Sequence, residues 1–172
     1  MTEVGWNVDD GCTRLSPTEP STNQEAWTYR RGTADVVEIR EHLEGCGDAS
    51  SWLGREGVEF SDYAEKICRF AITHEAWVQG RLAGLVAVYS NRGHEHPAYI
   101  THMGTLADSR RRGIAETLIS KCLNELQSAQ VRRVELEVRS GNRVAAQLLM
   151  RAGFRPIGQV KELVQYAVDL QV

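Results

Sequence analysis

The chain has 172 residues and a mass of 19.2 kDa, with 42% apolar and 25% charged positions. That composition fits one ordinary globular domain, long enough to bury roughly 70% of its unfolded surface, and excludes a multidomain or disordered protein. The net charge of −3 is unevenly spread: residues 1–26 hold five acidic side chains against Arg14, so the rest of the chain stands at +1. A near-neutral body speaks against a general nucleic-acid binder, whose affinity comes from a basic face.

Residues 1–26 mix Gly, Pro, Ser, Thr, Asn and acids without periodicity and read as a mobile acidic leader, with the functional domain spanning 27–172. Trp27–Arg31 reads as a strand. A helix follows with Thr33 as its expected N-cap and Val36, Ile39 and Leu43 on one face, stopped by Gly45 and Gly47. After a glycine-rich stretch, Ser61 opens a second helix through Tyr63, Ile67 and Phe70. His74–Gln79 and Leu82–Tyr89 form a hairpin around Gly80, and the second strand, apolar on both faces, is central.

Ala98–Leu106 is a further strand. Ile114, Ala115, Leu118, Ile119, Cys122, Leu123 and Leu126 then recur at helical spacing and form the wide apolar face of a long helix. Val134, Leu136 and Val138 alternate with charged residues as a strand, Asn142–Ala152 is a short helix ended by Gly153, and Phe154–Gly158 and Glu162–Leu170 are two closing strands. This β-α-α-β-β-β-α-β-α-β-β order is an α/β layout that requires a mixed sheet.

Cys12, Cys46, Cys68 and Cys122 show neither C-x-x-C nor a zinc-type spacing, and His94-x-His96 has no further ligand nearby, so no metal is expected. No apolar run reaches a membrane span of about 18 residues and no signal-peptide core is visible, so the expected setting is the cytoplasm, without a membrane partner.

Arg110-Arg111-Arg112-Gly113-Ile114-Ala115 falls where a strand ends and the long helix begins. A helix N-terminus presents unpaired N–H groups and partial positive charge, which suits a pyrophosphate; Gly113 permits close backbone approach and Ala115 keeps the next turn open. Neither G-x-x-x-x-G-K-[ST] nor G-x-G-x-x-G is present. Read alone, the three arginines also fit a solvated helix start.

In context, Arg110-x-x-Gly113-x-Ala115 resembles the [Q/R]-x-x-G-x-[G/A] signature of the GNAT superfamily of N-acetyltransferases. Asn142-x-x-Ala145-x-x-Leu148 followed by Gly153-Phe154, after Leu136-Glu137-Val138, is similar to that superfamily's next motif. The resemblance covers residues 27–172 and implies an acetyl-coenzyme A site. The pyrophosphate would lie on the amides of Arg110, Arg111, Arg112, Gly113, Ile114 and Ala115, and the pantetheine would pair beside Met103, Gly104, Thr105 and Leu106. Asn142 would bridge to the cofactor or simply cap its helix.

The resemblance further implies transfer of the acetyl group to a primary amine by direct attack in a ternary complex. Many members place a tyrosine acid directly after the leucine of the second motif, whereas here that place is Leu149. Tyr99, Glu137 and Tyr166 are the candidates to move protons in its stead; Glu137 reads equally as a solvated sheet carboxylate. Tyr99 and Thr101 are expected to share a face with Met103 and Thr105, with His102 turned away unless a bulge shifts the alternation. The acceptor, a small-molecule or protein amine, would approach over Gly45–Phe60, where Asp48, Trp52, Glu56, Glu59 and the following Asp62 read either as an acidic, aromatic mouth or as a polar loop with one anchoring Trp. A homodimer is a family-based expectation, and a non-catalytic acyl-coenzyme A binding module is the alternative function.

Overall fold

The computed structural model describes residues 27–47, 59–90 and 96–171. The leader 1–26, most of the glycine-rich stretch with Asp48, Trp52 and Glu56, and His94 lie outside the described residues. Strand β1 (Thr28–Arg31) precedes helices α1 (Val36–Cys46) and α2 (Phe60–Phe70). Strands β2 (Ile72–Val78), β3 (Arg81–Tyr89) and β4 (Ala98–Thr105) follow, then α3 (Ile114–Ser128), β5 (Arg133–Arg139), α4 (Arg143–Arg151), β6 (Arg155–Val160) and β7 (Leu163–Asp169). The mixed α/β order expected from the sequence is the observed one.

The seven strands form one sheet in the order β1-β2-β3-β4-β5-β7-β6. Every pairing is antiparallel except β4 with β5. The β2–β3 hairpin turns at Gln79 and Gly80, both at positive φ (49° and 78°), as a two-residue loop matching strand twist requires. Helices α1 and α2 pack on one face, where Ile39, Leu43, Tyr63, Ile67, Leu85 and Ala87 are buried together. Helix α3 covers the other face, where Val86, Ile100, Leu118, Ile119 and Leu136 form a second core that also takes Leu149 of α4 and Phe154. Two apolar layers around a sheet bury what neither helix layer could bury alone.

The first helix starts two residues later than the sequence reading. Asp35 is the N-cap and forms a capping box with Glu38: its carboxylate accepts from Glu38 N at 2.9 Å while Glu38 accepts from Asp35 N at 2.8 Å. Thr33 is drawn away instead, donating its backbone N–H and hydroxyl to the buried carboxylate of Glu75 on β2. Tertiary demand from a buried charge outweighs the local capping preference of a threonine. Gly45 does not end α1 but lies inside it, where an added Cβ would meet Leu106 at 2.7 Å; Gly47, at φ 58°, is the residue that stops the helix. Phe70, expected on the buried face of α2, is 62% exposed. No helix among the described residues is long and apolar enough to cross a membrane.

Candidate functional site

Strands β4 and β5 pair only at Ala98 with Val134 and Tyr99 with Glu135, then part. From Ile100 to Thr105 the edge of β4 that faces β5 has no strand partner, although its other edge pairs with β3 as far as Thr105. Backbone polar groups need partners, so such an edge is a place for an extended ligand to pair. This opening lies at the only parallel pair of the described sheet, toward the carboxyl ends of both strands, where open α/β sheets take their ligands.

Helix α3 begins just beyond β4. Arg111 and Gly113 both adopt left-handed backbone, with φ of 62° and 76°, and Gly113 is the N-cap. A glycine N-cap carries no side chain, so none satisfies the first-turn amides of α3. Alternating left-handed residues ahead of a helix turn successive N–H groups toward one concavity, which binds anions. Space around Gly113 is open: an added Cβ would meet nothing within 4 Å. The glycine is therefore required for its φ, and crowding plays no part.

The three arginines have separate tasks. Arg110 donates from Nε to Thr105 O at 3.1 Å and from Nη2 to Cys46 O at 3.5 Å, tying the end of β4 to the end of α1. Arg112 lies over the ring of Trp27 at 5.2 Å, and Arg111 is exposed beside the N-cap. The amide of Leu106 is taken by Ala83 O and its carbonyl by Ser109 N, so its backbone is already paired within the fold. Ile114 is buried in the α3 core, and Ala115 opens the first turn. Asn142 caps α4, its side-chain oxygen accepting from Ala145 N at 3.1 Å.

A bulge at Thr101 changes which residues share a face. Val88 pairs with Ile100 and Ala87 with His102, so Thr101 is the extra residue. Tyr99, Thr101 and His102 thus all lie on the α1/α2 side, while Met103 packs into the α3 core and Thr105 stands opposite Gly84, against α3. The expected shared face of Tyr99, Thr101, Met103 and Thr105 is split by the bulge, and His102 is kept on the side of Tyr99.

Glu137 projects from β5 on the face opposite Val138 and Leu136, the same side as Tyr99, and accepts from Gln165 Nε2 at 3.1 Å. Tyr166 stands opposite Leu136 and is buried in the α3-side core with it. The structure therefore brings Tyr99 and Glu137 to one face and separates Tyr166 from them. Leu149 is fully buried in the same core as Tyr166.

The sequence reading missed Tyr63. From α2 its hydroxyl donates to Thr101 O at 2.6 Å and lies 2.9 Å from Thr101 Oγ1, satisfying the bulged carbonyl. Burial pushes its pKa well above the ordinary tyrosine range, and the nearby Tyr89 and Tyr99 add to that. Tyr89 is also raised by burial. The hydroxyls of Tyr63 and Tyr89 thus stay protonated at neutral pH beside Thr101. Helical spacing marks Tyr63 only as a core position; the bulge that gives it a polar task has no sequence signal.

Residues 35–154 match the family model described as "Acetyltransferase (GNAT) family". No curated protein matches the chain. Among solved structures, the ribosomal-protein-S18-alanine N-acetyltransferase of Escherichia coli is similar with a TM-score of 0.69 at 15% identity, over 86% of this chain and 96% of that one. A Bacillus subtilis acetyltransferase solved with CoA gives a TM-score of 0.66 at 13% identity, over 85% of this chain and 100% of that one. The PaiA N-acetyltransferase of Thermoplasma acidophilum, also solved with coenzyme A, gives 0.61 at 13% identity, over 84% and 99%.

Proposed function

The chain belongs to the acetyltransferase (GNAT) family, and from that membership we propose that it transfers the acetyl group of acetyl-coenzyme A to a primary amine by direct attack in a ternary complex. The observation that carries the proposal is the uncapped N-terminus of α3, with left-handed Arg111 and Gly113, beside the parted strands β4 and β5. The first supplies donors for a pyrophosphate, and the second supplies an unpaired strand edge for the amide-bearing pantetheine arm. Two of the similar structures were solved with coenzyme A.

Acetyl-coenzyme A supplies an activated thioester. The chain holds it on the amides from Arg111 to Ala115 and along Met103, Gly104 and Thr105, with Arg111 adding positive field at the anion. Leu106 closes the end of that edge and makes its own bonds inside the fold. The amine attacks the carbonyl carbon, a C–N bond forms, the C–S bond breaks, and the amine gives up one proton. Glu137 accepts that proton directly or through water, and a hydroxyl at the bulge, Tyr99 foremost, returns one to the departing thiolate. Tyr166, on the opposite side of the sheet from Tyr99, holds the wall of the core and takes no proton-transfer role. The acceptor is a small amine or a protein amine reaching the α1/α2 side; the E. coli relative's own acceptor is a ribosomal protein alanine.

Burial of Leu149 favours one further reading, a binding module that holds acyl-coenzyme A without turnover. Following thiol release with acetyl-coenzyme A and a panel of polyamines, amino sugars and peptide amines separates the two. Release that depends on one class of amine supports the transferase; cofactor binding with no release for any amine supports the module.

Leu149→Tyr provides a related check. The side chain enters a closed core, so the extra volume is expected to cost about 1–3 kcal/mol of stability without raising kcat. A higher kcat in that variant would show that position 149 reaches the thioester after all.

A further inference from the structure

We infer that His42, Cys46 and His102 form a binding site for a single zinc-type cation, on the α1 side of β4 and adjoining the strand edge proposed for the cofactor. His42 and Cys46 are four residues apart on α1 and so share one helix face, and His102 meets them from β4, kept on that side by the bulge at Thr101. All three are buried, at 1%, 4% and 4% exposure. Their ligand atoms lie within 4.8 Å of one another, with His42 Nε2 3.3 Å from Cys46 Sγ, close to the separation of two atoms bound to one zinc ion.

Two further features point to a cation. The Nδ1 of His42 lies 3.0 Å from Leu82 O, so it carries the proton and donates to that carbonyl, which leaves the Nε2 lone pair directed at Cys46. His102 Nε2 is buried and has no hydrogen-bond partner among the described residues. An orphaned ring nitrogen facing a thiol and a second imidazole is costly unless something coordinates it. Gly104 leaves the room: a Cβ there would stand 2.8 Å from His102 Nε2 and 2.9 Å from Cys46 Sγ.

The ligand chemistry selects the ion. Two imidazoles and a thiolate suit zinc and exclude magnesium or calcium, which take oxygen. Zinc displaces the Cys46 proton to solvent as the Zn–S bond forms, and the three side chains leave one coordination position for water. A cleft of about 150 Å³ lined by Glu38, Glu41, Arg81 and Leu82 borders His42. Two positive charges oppose a cation there: Arg110, whose guanidinium donates to the carbonyls of Thr105 and Cys46, and Arg81 on the His42 side, which is paired with Asp108.

The test is cobalt(II) titration of the metal-stripped full chain, with zinc competition. One equivalent of cobalt per chain is expected, with a thiolate-to-cobalt charge-transfer band and the intense visible bands of a four-coordinate centre, both bleached by zinc. The bands are expected to survive Cys68→Ala, which removes the exposed thiol, and to vanish in Cys46→Ala and His102→Ala. Peptide mapping of the unmodified sequence covers variants that fail to fold: zinc is expected to slow alkylation of Cys46 at least about tenfold and leave Cys68 unchanged. Absence of the charge-transfer band, its survival in Cys46→Ala, its loss in Cys68→Ala, or unchanged alkylation of Cys46 each overturns the site.

Discussion

Gly113→Asp is expected to weaken acetyl-coenzyme A binding by about 30- to 140-fold. At φ 76° a side chain is held in a conformation that costs a non-glycine residue about 1–2 kcal/mol, and the backbone relieves that cost by leaving the left-handed region. The N–H groups of the α3 start then no longer converge, and binding must restore them. The aspartate also brings an anion to the positive end of the helix, where it competes with the pyrophosphate for about 1 kcal/mol more. At 1.4 kcal/mol per decade, about 2–3 kcal/mol gives the stated range. Gly113→Ala carries the conformational cost alone, since an added Cβ meets nothing within 4 Å, and is expected to lose about 5- to 30-fold. Calorimetry checks both, and unchanged affinity in the aspartate variant would put the anion elsewhere.

The largest expected stability effect belongs to Glu75. Its carboxylate accepts from Thr33 N at 2.9 Å, Ala34 N at 3.1 Å, Thr73 Oγ1 at 2.7 Å and Trp77 Nε1 at 3.0 Å, and from the Thr33 hydroxyl. It thereby binds the link between β1 and α1 onto β2. Glu75→Leu strands these donors in a buried place, which is expected to cost about 3–5 kcal/mol and to lower Tm on the order of 10 °C. Burial alone would raise this carboxyl; the hydrogen bonds from Thr33, Thr73, Ala34 and Trp77 outweigh it and hold the carboxyl below its ordinary value. A depressed folded value means that the contribution is complete above the unfolded carboxylate range and fades as pH falls through the folded value. Glu75→Gln is therefore expected to flatten the acid limb of a stability–pH curve while leaving its neutral region lowered. An acid limb identical to that of the unmodified chain would remove Glu75 from the account.

Much of this was legible in the residues because periodicity reports burial directly. The apolar stripe of α3 and the alternation of Val134, Leu136 and Val138 face the cores expected of them, and Arg110 to Ala115 fall at a helix start. What stayed hidden depends on contacts remote in sequence. Thr33 has every local qualification of an N-cap, and only Glu75, 42 residues away, explains why it serves elsewhere. The bulge at Thr101 is a single inserted residue with no compositional mark, yet it reverses which side chains join Tyr99 and moves His102 toward α1. The His42, Cys46 and His102 cluster was invisible for the same reason: H-x-x-x-C is unremarkable until a bulged strand brings its third member. The sequence reading offered the Arg110 amide to a pyrophosphate; in the fold that amide is directed at Ala107 O at 3.5 Å, and the guanidinium ties Thr105 to Cys46.

The central claim is that one ligand occupies both the parted edge of β4 and the N-terminus of α3. Amide hydrogen exchange with and without acetyl-coenzyme A tests it most directly, because exchange reports each backbone N–H separately. Slowed exchange is predicted for Met103 to Thr105 and for Gly113 to Glu116, with β1 and β2 unchanged. Protection confined to other segments, or none at saturating ligand, would contradict it.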